Sequence, residues 1–261
     1  MRFCRFLPTT NLHGHAEASY GLLEGDAVRE IDGMPWQKWT AGNRTWLAKE
    51  CRLLAPVEPS KIVCVGRNYA AHAAEFGNEV PKEPLIFLKP PSSIVGPEKP
   101  IVLTRYSNRI EHEGELGVVM GKECAHLGDE DDPHSYVLGY TCVNDVTARD
   151  LQKSDVQFTR AKGFDTFCPV GPHIETQLDP RNVLVETYVN GARRQSGSTS
   201  LMVYPVAFLV RWISRMMMLL PGDLIASGTP AGVGPLVAGD TVEVSVAGVG
   251  VLRNPVHPPR A

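Results

Sequence analysis

Two glutamates separated by one glycine, Glu113-Gly114-Glu115, run straight into the apolar stretch Leu116-Gly117-Val118-Val119. On an extended chain, residues i and i+2 point to the same side, so these two carboxylates converge. Glu111 joins that side if the strand begins early. Like charges held together are costly unless a cation or a proton lies between them. A charged edge strand that discourages aggregation is the plainer alternative. Asp145 offers a third carboxylate, at the end of a strand-like run over 137–142 and just before a new helix. A side chain there can project into a cleft or simply serve the turn. Three carboxylates with no cysteine or histidine among them suit a hard cation, Mg²⁺, Mn²⁺ or Ca²⁺, rather than Zn²⁺.

Other groups suit a reaction at such a centre. His72 and Glu75 lie three apart in the helix-prone stretch Ala70-Ala71-His72-Ala73-Ala74-Glu75, so they share a helix face. A carboxylate beside an imidazole orients the ring and raises its basicity, a pairing used in general-base activation of water. On an exposed face the same two residues are an ordinary ion pair. Gly77, Asn78 and Pro81 end this helix early and predict a short, mobile segment. Thr147-x-x-Asp150 reads as a capping-box variant that sets Arg149 and Gln152 on one face. Lys162 stands among apolar and turn residues, where an ammonium can hold a carboxylate or lie at the surface. The glycine-rich segment 227–234 follows a strand. No Lys-Ser/Thr follows its last glycine, so it is not a Walker loop, but its N–H groups can cradle an anion.

The elements that must position these groups divide the chain at about residue 57. Residues 1–57 form a small N-terminal module, with strands over 20–24 and 27–31 around a Gly25-Asp26 hairpin turn. Positions 36–54 hold three tryptophans but no clean period. Pro56, Pro59 and Ser60 break the chain before the apolar run 61–65. The larger region, 58–261, alternates short strands with turns: 116–120, 137–142, 183–189, 223–226, 241–246 and 249–253. Asn190-Gly191 predicts a tight hairpin. The long helix is expected over 205–219, from Val206, Leu209, Val210, Ile213 and Met217. Pro205 suits its start, Pro221-Gly222 its end, and Met216–Met218 are expected to fill core.

Composition bounds the function. Twenty-six basic against 29 acidic residues leave a net charge of −3, which excludes the basic field of a non-specific nucleic-acid binder. With 24 glycines and 21 prolines, turns are too frequent for a helical bundle. The apolar stretch 201–220 is interrupted by Pro205, Arg211 and Arg215, so it fails as a membrane span of about 20 residues. The N-terminus lacks a signal-peptide core, and the six scattered cysteines read as buried apolar residues in a reducing compartment. A soluble, cytoplasmic protein is expected.

In order, the pieces IVCVGRNYAAHAAE, EPLIFLKP, HEGELGVVMG, GYTCVNDVTARDLQ, AKGFDTFCPVGP, VNGARRQ and PGDLIASGTPAGVG resemble the fumarylacetoacetate hydrolase family over roughly 60–260. The first 57 residues resemble the small module of many bacterial members. The resemblance implies an α+β, strand-rich fold with a mixed sheet rolled into a barrel-like body, and a homodimer. It implies that Glu113, Glu115 and Asp145 bind Mg²⁺ or Mn²⁺. His72 and Glu75 would be a water-activating dyad on a lid, with Lys162 holding substrate and Arg149, Gln152 and Thr229 binding it. Gly114 departs from the larger residue of many members. The expected activity is cleavage of a C–C bond in a small 2-oxo acid, by acylpyruvate hydrolysis or oxaloacetate-type decarboxylation through a metal-bound enolate. The alternatives are 2-hydroxyhepta-2,4-diene-1,7-dioate isomerase of aromatic catabolism and, more remotely, a catalytically silent metal-binding protein.

Overall fold

The computed structural model describes residues 1–9 and 17–260. Strands dominate, and four α-helices occur among these residues: α1 (Ala70–Glu75), α2 (Arg149–Ser154), α3 (Thr159–Lys162) and α4 (Val206–Ser214). This is a strand-rich α+β fold, as the family resemblance implies.

The main sheet begins with Thr40–Leu47 at one edge and passes through Ala27–Asp32, Ser19–Glu24 and Arg2–Pro8. It continues through Cys168–Glu175, Val137–Asn144, Gly114–Met120, Leu224–Ala226 and Ile62–Gly66 to Leu85–Lys89 at the other edge. The N-terminal strands therefore join the larger region by main-chain pairing, with Arg2 opposite Glu175 and Phe3 opposite Ile174. A second sheet holds Ala192–Ser198, Leu184–Val189, Thr241–Val246, Gly250–His257 and Ile101–Val102. A third, small sheet pairs Ile110–His112 with Thr147–Ala148 and Gly234–Pro235. No pairing among the described residues closes the main sheet on itself: its order has two ends.

The central strands are buried on both faces, which explains their continuous apolar runs. Val63, Val65, Leu116 and Val118 pack with Val185, Val244 and Val246 of the second sheet and with Leu209 and Ile213 of α4. The alternate residues Ile62, Cys64, Val119 and Val143 pack on the opposite side with Phe3, Leu22 and Ile31 of the N-terminal strands. Both predicted hairpins form, Gly25-Asp26 and Asn190-Gly191, the latter with φ of 53° and 76° as a primed turn requires. The stretch without a period, 36–54, becomes two strands, Thr40–Leu47 and Cys51–Leu54, joined by a short 3₁₀ turn.

Two local expectations are corrected. The long helix stops at Ser214 rather than near residue 219. Leu219 instead exchanges two main-chain hydrogen bonds with Cys124, both 2.9 Å, and this bridge draws the chain out of the helix. Met216 and Met218 are consequently half-exposed at 51% and 49%; only Met217 packs against the core. The capping box at Thr147 does not form either. The Thr147 hydroxyl donates to the Asp145 carbonyl, and Asp150 accepts from Ser107 Oγ and the Asn108 N–H.

Candidate active site

Strand pairing assembles the carboxylates. Gly114–Met120 lies antiparallel to Val137–Asn144 with Gly114 opposite Asn144, which sets Glu113 and Asp145 beside each other just beyond the ladder. The Asp145 N–H donates to the Glu113 carbonyl at 2.8 Å, and Asn144 Oδ1 accepts the Glu113 N–H at 3.0 Å. One ligand oxygen from each of Glu113, Glu115 and Asp145 lies within 4.8 Å of the others, and all three residues are buried. Glu111 is not one of them. It belongs to the small sheet, where it accepts from Arg149 Nε at 2.7 Å and Arg109 Nε at 2.5 Å.

Gly114 has a packing reason. A Cβ built on it would stand 2.1 Å from Thr187 Oγ1, so the second sheet's approach leaves no room for a side chain between the glutamates.

The triad is ringed by buried cations. Lys162, at the end of α3, bridges Glu113 Oε2 at 2.8 Å and Asp145 Oδ2 at 2.6 Å. Lys89, at the edge of the main sheet, donates to Asp145 Oδ1 at 2.6 Å and to the Val146 carbonyl at 3.2 Å. Arg149 donates to Glu113 and to Gln152, its partner on α2, and stacks over the Phe76 ring. The carboxylates respond differently. Burial opposes ionisation of Glu113, but the Lys162 and Arg149 charges outweigh it and hold the carboxyl well below the usual range. Burial, with the facing Asp145 and Glu113 carboxylates, pushes Glu115 well above that range. The one hydrogen-bond partner of its carboxyl group among the described residues is the Gly228 N–H at 2.8 Å. Burial disfavours the Lys162 ammonium, yet the facing Asp145 and Glu113 carboxylates raise its pKa overall.

The donor set fits a hard divalent cation. Three buried carboxylates converge, and Glu115, under-supplied with positive charge, is the group such an ion would relieve.

His72 and Glu75 lie on α1, with Nδ1 3.2 Å from Oε2. Glu75 also accepts from the Gly232 N–H at 3.1 Å. The 227–234 segment thus does cradle carboxyl groups, but they are the protein's own: Gly228 holds Glu115, and Gly232 holds Glu75. The Thr229 hydroxyl donates to the Gly114 carbonyl at 2.8 Å and accepts from Gln195 Nε2 at 2.7 Å. All nine predicted residues (His72, Glu75, Glu113, Glu115, Asp145, Arg149, Gln152, Lys162 and Thr229) line one cavity of about 680 Å³.

Residue reading assigned nothing to several groups that complete this site. Lys89 and Gln195 lie within the sequence pieces EPLIFLKP and VNGARRQ, so the resemblance carried them without a role. Gln195 fastens the second sheet to the site by also accepting the Gly114 N–H at 3.0 Å. Phe76, Phe87 and Arg67 line the cavity too. A single aromatic or arginine gives no periodic signal by which to find it.

Residues 61–257 match the family described as fumarylacetoacetate (FAA) hydrolase C-terminal, and residues 1–56 match the Rv2993c-like N-terminal family. The chain is 50% identical over 232 residues to protein Rv2993c of Mycobacterium tuberculosis, covering 88% of this chain and 87% of that one. It is 41% identical over 231 residues to oxaloacetate tautomerase YisK of Bacillus subtilis, covering 82% and 76%. Among solved structures, 2-hydroxyhepta-2,4-diene-1,7-dioate isomerase from Mycobacterium marinum superposes with a TM-score of 0.87 at 44% identity, covering 99% and 98%. Maleylpyruvate hydrolase from Sphingobium sp. SYK-6, in complex with manganese(II) ion and pyruvate, superposes with a TM-score of 0.80 at 29% identity over 100% of both chains. With three-quarters of its length matched and these relatives along nearly all of it, the chain belongs to the fumarylacetoacetate hydrolase family.

Proposed function

We propose that this chain is a Mg²⁺- or Mn²⁺-dependent enzyme that works on a small 2-oxo acid through its enol form. One observation carries the reading: an all-oxygen carboxylate triad and an oriented imidazole line the same cavity. Glu113, Glu115 and Asp145 would hold the cation, which when bound supplies Lewis acidity to the oxygens of the 2-oxo acid. The chain's own residues do the rest. With its Nδ1–H donated to Glu75, His72 keeps a lone pair on Nε2, which has no protein partner among the described residues. That nitrogen is the base that takes a proton from C3 of the substrate. Arg149, Gln152 and Thr229 would orient the substrate, and the charged Lys162 would offset the negative charge that develops as the proton leaves.

Returning that proton to oxygen completes a keto–enol interconversion; returning it to a more distant carbon is an isomerisation. Relatives named for these reactions are more than 40% identical to the chain, and we place them first. The second reading is C–C cleavage, by decarboxylation of oxaloacetate or by hydrolysis of an acylpyruvate. In hydrolysis His72 Nε2 would deprotonate a water that attacks the distal carbonyl. The complete His72–Glu75 pair supports it, as does the hydrolase among the solved relatives. A panel run with Mg²⁺ separates them: oxaloacetate, followed by enol absorbance and by pyruvate release, then acetylpyruvate, fumarylpyruvate and the 2-hydroxy-dienoate. Enol equilibration of oxaloacetate faster than pyruvate release is the expected result. No turnover of any member would sink the proposal and leave a silent metal-binding protein.

A further inference from the structure

Nearly every cation around the cavity is already engaged. Lys89, Lys162, Arg109 and Arg149 each pair with a carboxylate within hydrogen-bond distance. Lys153 has no ion pair among the described residues but is exposed, as surface lysines are. Arg67 differs: it is half-buried, lines the cavity, and has no ion pair or side-chain hydrogen bond among the described residues.

Its backbone is held in an unfavourable conformation. Arg67 has a φ of 55°, in the left-handed region that a residue with a Cβ enters at a cost and only when its neighbours impose it. Here both neighbours do. On one side the strand Ile62–Gly66 is locked between Leu224–Ala226 and Leu85–Lys89. On the other, the fully buried Asn68 donates through Nδ2 to the Ser227 and Tyr204 carbonyls at 2.8 and 3.0 Å, while its own carbonyl accepts the Val203 N–H at 2.8 Å. Glycine would satisfy this φ without strain. The chain instead carries a guanidinium there, at the wall of a cavity whose other buried cations are spent on the protein's own acids.

We propose that Arg67 binds the distal carboxylate of the substrate, so that the site selects dicarboxylic 2-oxo acids over monocarboxylic ones. This rests on the 2-oxo-acid reading above: the triad and its neighbours take the 2-oxo carboxylate end, and Arg67 takes the other. A planar guanidinium with all its donors free matches a carboxylate in a two-point fork.

The test is calorimetric titration of the Mg²⁺-loaded protein with pyruvate and with 2-oxoglutarate, in wild type, Arg67→Gln and Arg67→Gly. Wild type should bind 2-oxoglutarate more tightly than pyruvate by about ten-fold or more, the scale of one charge-assisted pair. Both variants should lose most of that ratio, and Arg67→Lys should restore part of it. Arg67→Gly relieves the φ strain, so its melting temperature should stay at or near that of wild type, which separates loss of a ligand contact from loss of fold. A 2-oxoglutarate-to-pyruvate ratio that survives in folded Arg67→Gln overturns the assignment to Arg67 while leaving the 2-oxo-acid reading intact. Equal binding of the two acids by wild type does the same. Failure of wild type to bind either acid removes the underlying reading, and this inference with it.

Discussion

Around the triad, each side chain is charged or neutral according to its neighbours, so single substitutions there have distinct expected outcomes. Glu113→Gln and Asp145→Asn each remove one anionic ligand from a set of three, and each should weaken Mg²⁺ binding by at least about ten-fold, read by calorimetry. Both also leave buried cations short of a carboxylate, Lys162 and Arg149 in one case and Lys162 and Lys89 in the other. Thermal melts must therefore accompany the titrations; unchanged Mg²⁺ affinity in folded protein would contradict the assignment. His72→Ala removes the base but no ligand. It should cost about 10²–10⁴ in kcat on an acylpyruvate, with Mg²⁺ affinity and far-UV dichroism retained. Wild-type rates on every substrate that the parent turns over would make His72 an ordinary residue of α1.

Among the elements, the contact between the two sheets can be tested at Gly114. Gly114→Ala puts a methyl 2.1 Å from Thr187 Oγ1 and 3.2 Å from Val244 Cγ1, an overpacking expected to destabilise by about 1–3 kcal/mol. The Thr187 hydroxyl is buried without a partner among the described residues, so Thr187→Ala removes the clash at little cost. The double variant should recover most of the lost melting temperature, and a double variant as unstable as the single one would refute this packing account. The strand Cys168–Glu175, which carries the N-terminal strands, has a pH dependence of its own. Burial, helped by the Arg2 charge, lowers the His173 pKa from its ordinary 6.5. Below about pH 6.5 the unfolded chain therefore binds a proton that the folded one resists, and stability falls as pH drops toward the lowered folded value. Glu175 follows at lower pH. Burial opposes its ionisation, but the Gln177 N–H, Arg2 and the N-terminal amine together hold its carboxyl below the ordinary 4.5. Its contribution is present above 4.5 and is lost as pH falls through the folded value. Melting temperatures measured from pH 7.5 to 5.5 should fall, and His173→Leu should flatten the slope. The buried His112, shifted in the same direction, should keep some of it.

For the molecule as a whole, the core does not pass through the candidate metal site. Its two large clusters lie on either face of the central strands and contain none of the triad. Chelation by EDTA should therefore abolish turnover while leaving the far-UV dichroism unchanged at room temperature, unlike a domain folded around its ion. Melting of the dichroism on chelation would make the cation structural. We further propose a homodimer, expected as twice the chain's 28.5 kDa in light scattering; a monomer at micromolar concentration would refute it.

Local chemistry by itself determined much of this protein. The i, i+2 glutamates, the strand-end aspartate and the i, i+3 His72–Glu75 pair were legible because strand and helix periods fix which side chains share a face. The two hairpins were legible because glycine and asparagine accept the φ values a tight turn demands. What depended on distant partners was not. Leu219 leaves a helical pattern because Cys124, far away in sequence, bonds to it. Glu111 shares the strand period with Glu113, yet serves Arg149 because the chain changes sheets between them. Lys89, Gln195 and Arg67 carry no local signature at all. Each acquires its place only when sheet pairing brings together residues far apart in the chain, and the low-dielectric surroundings then decide which charges must be paired.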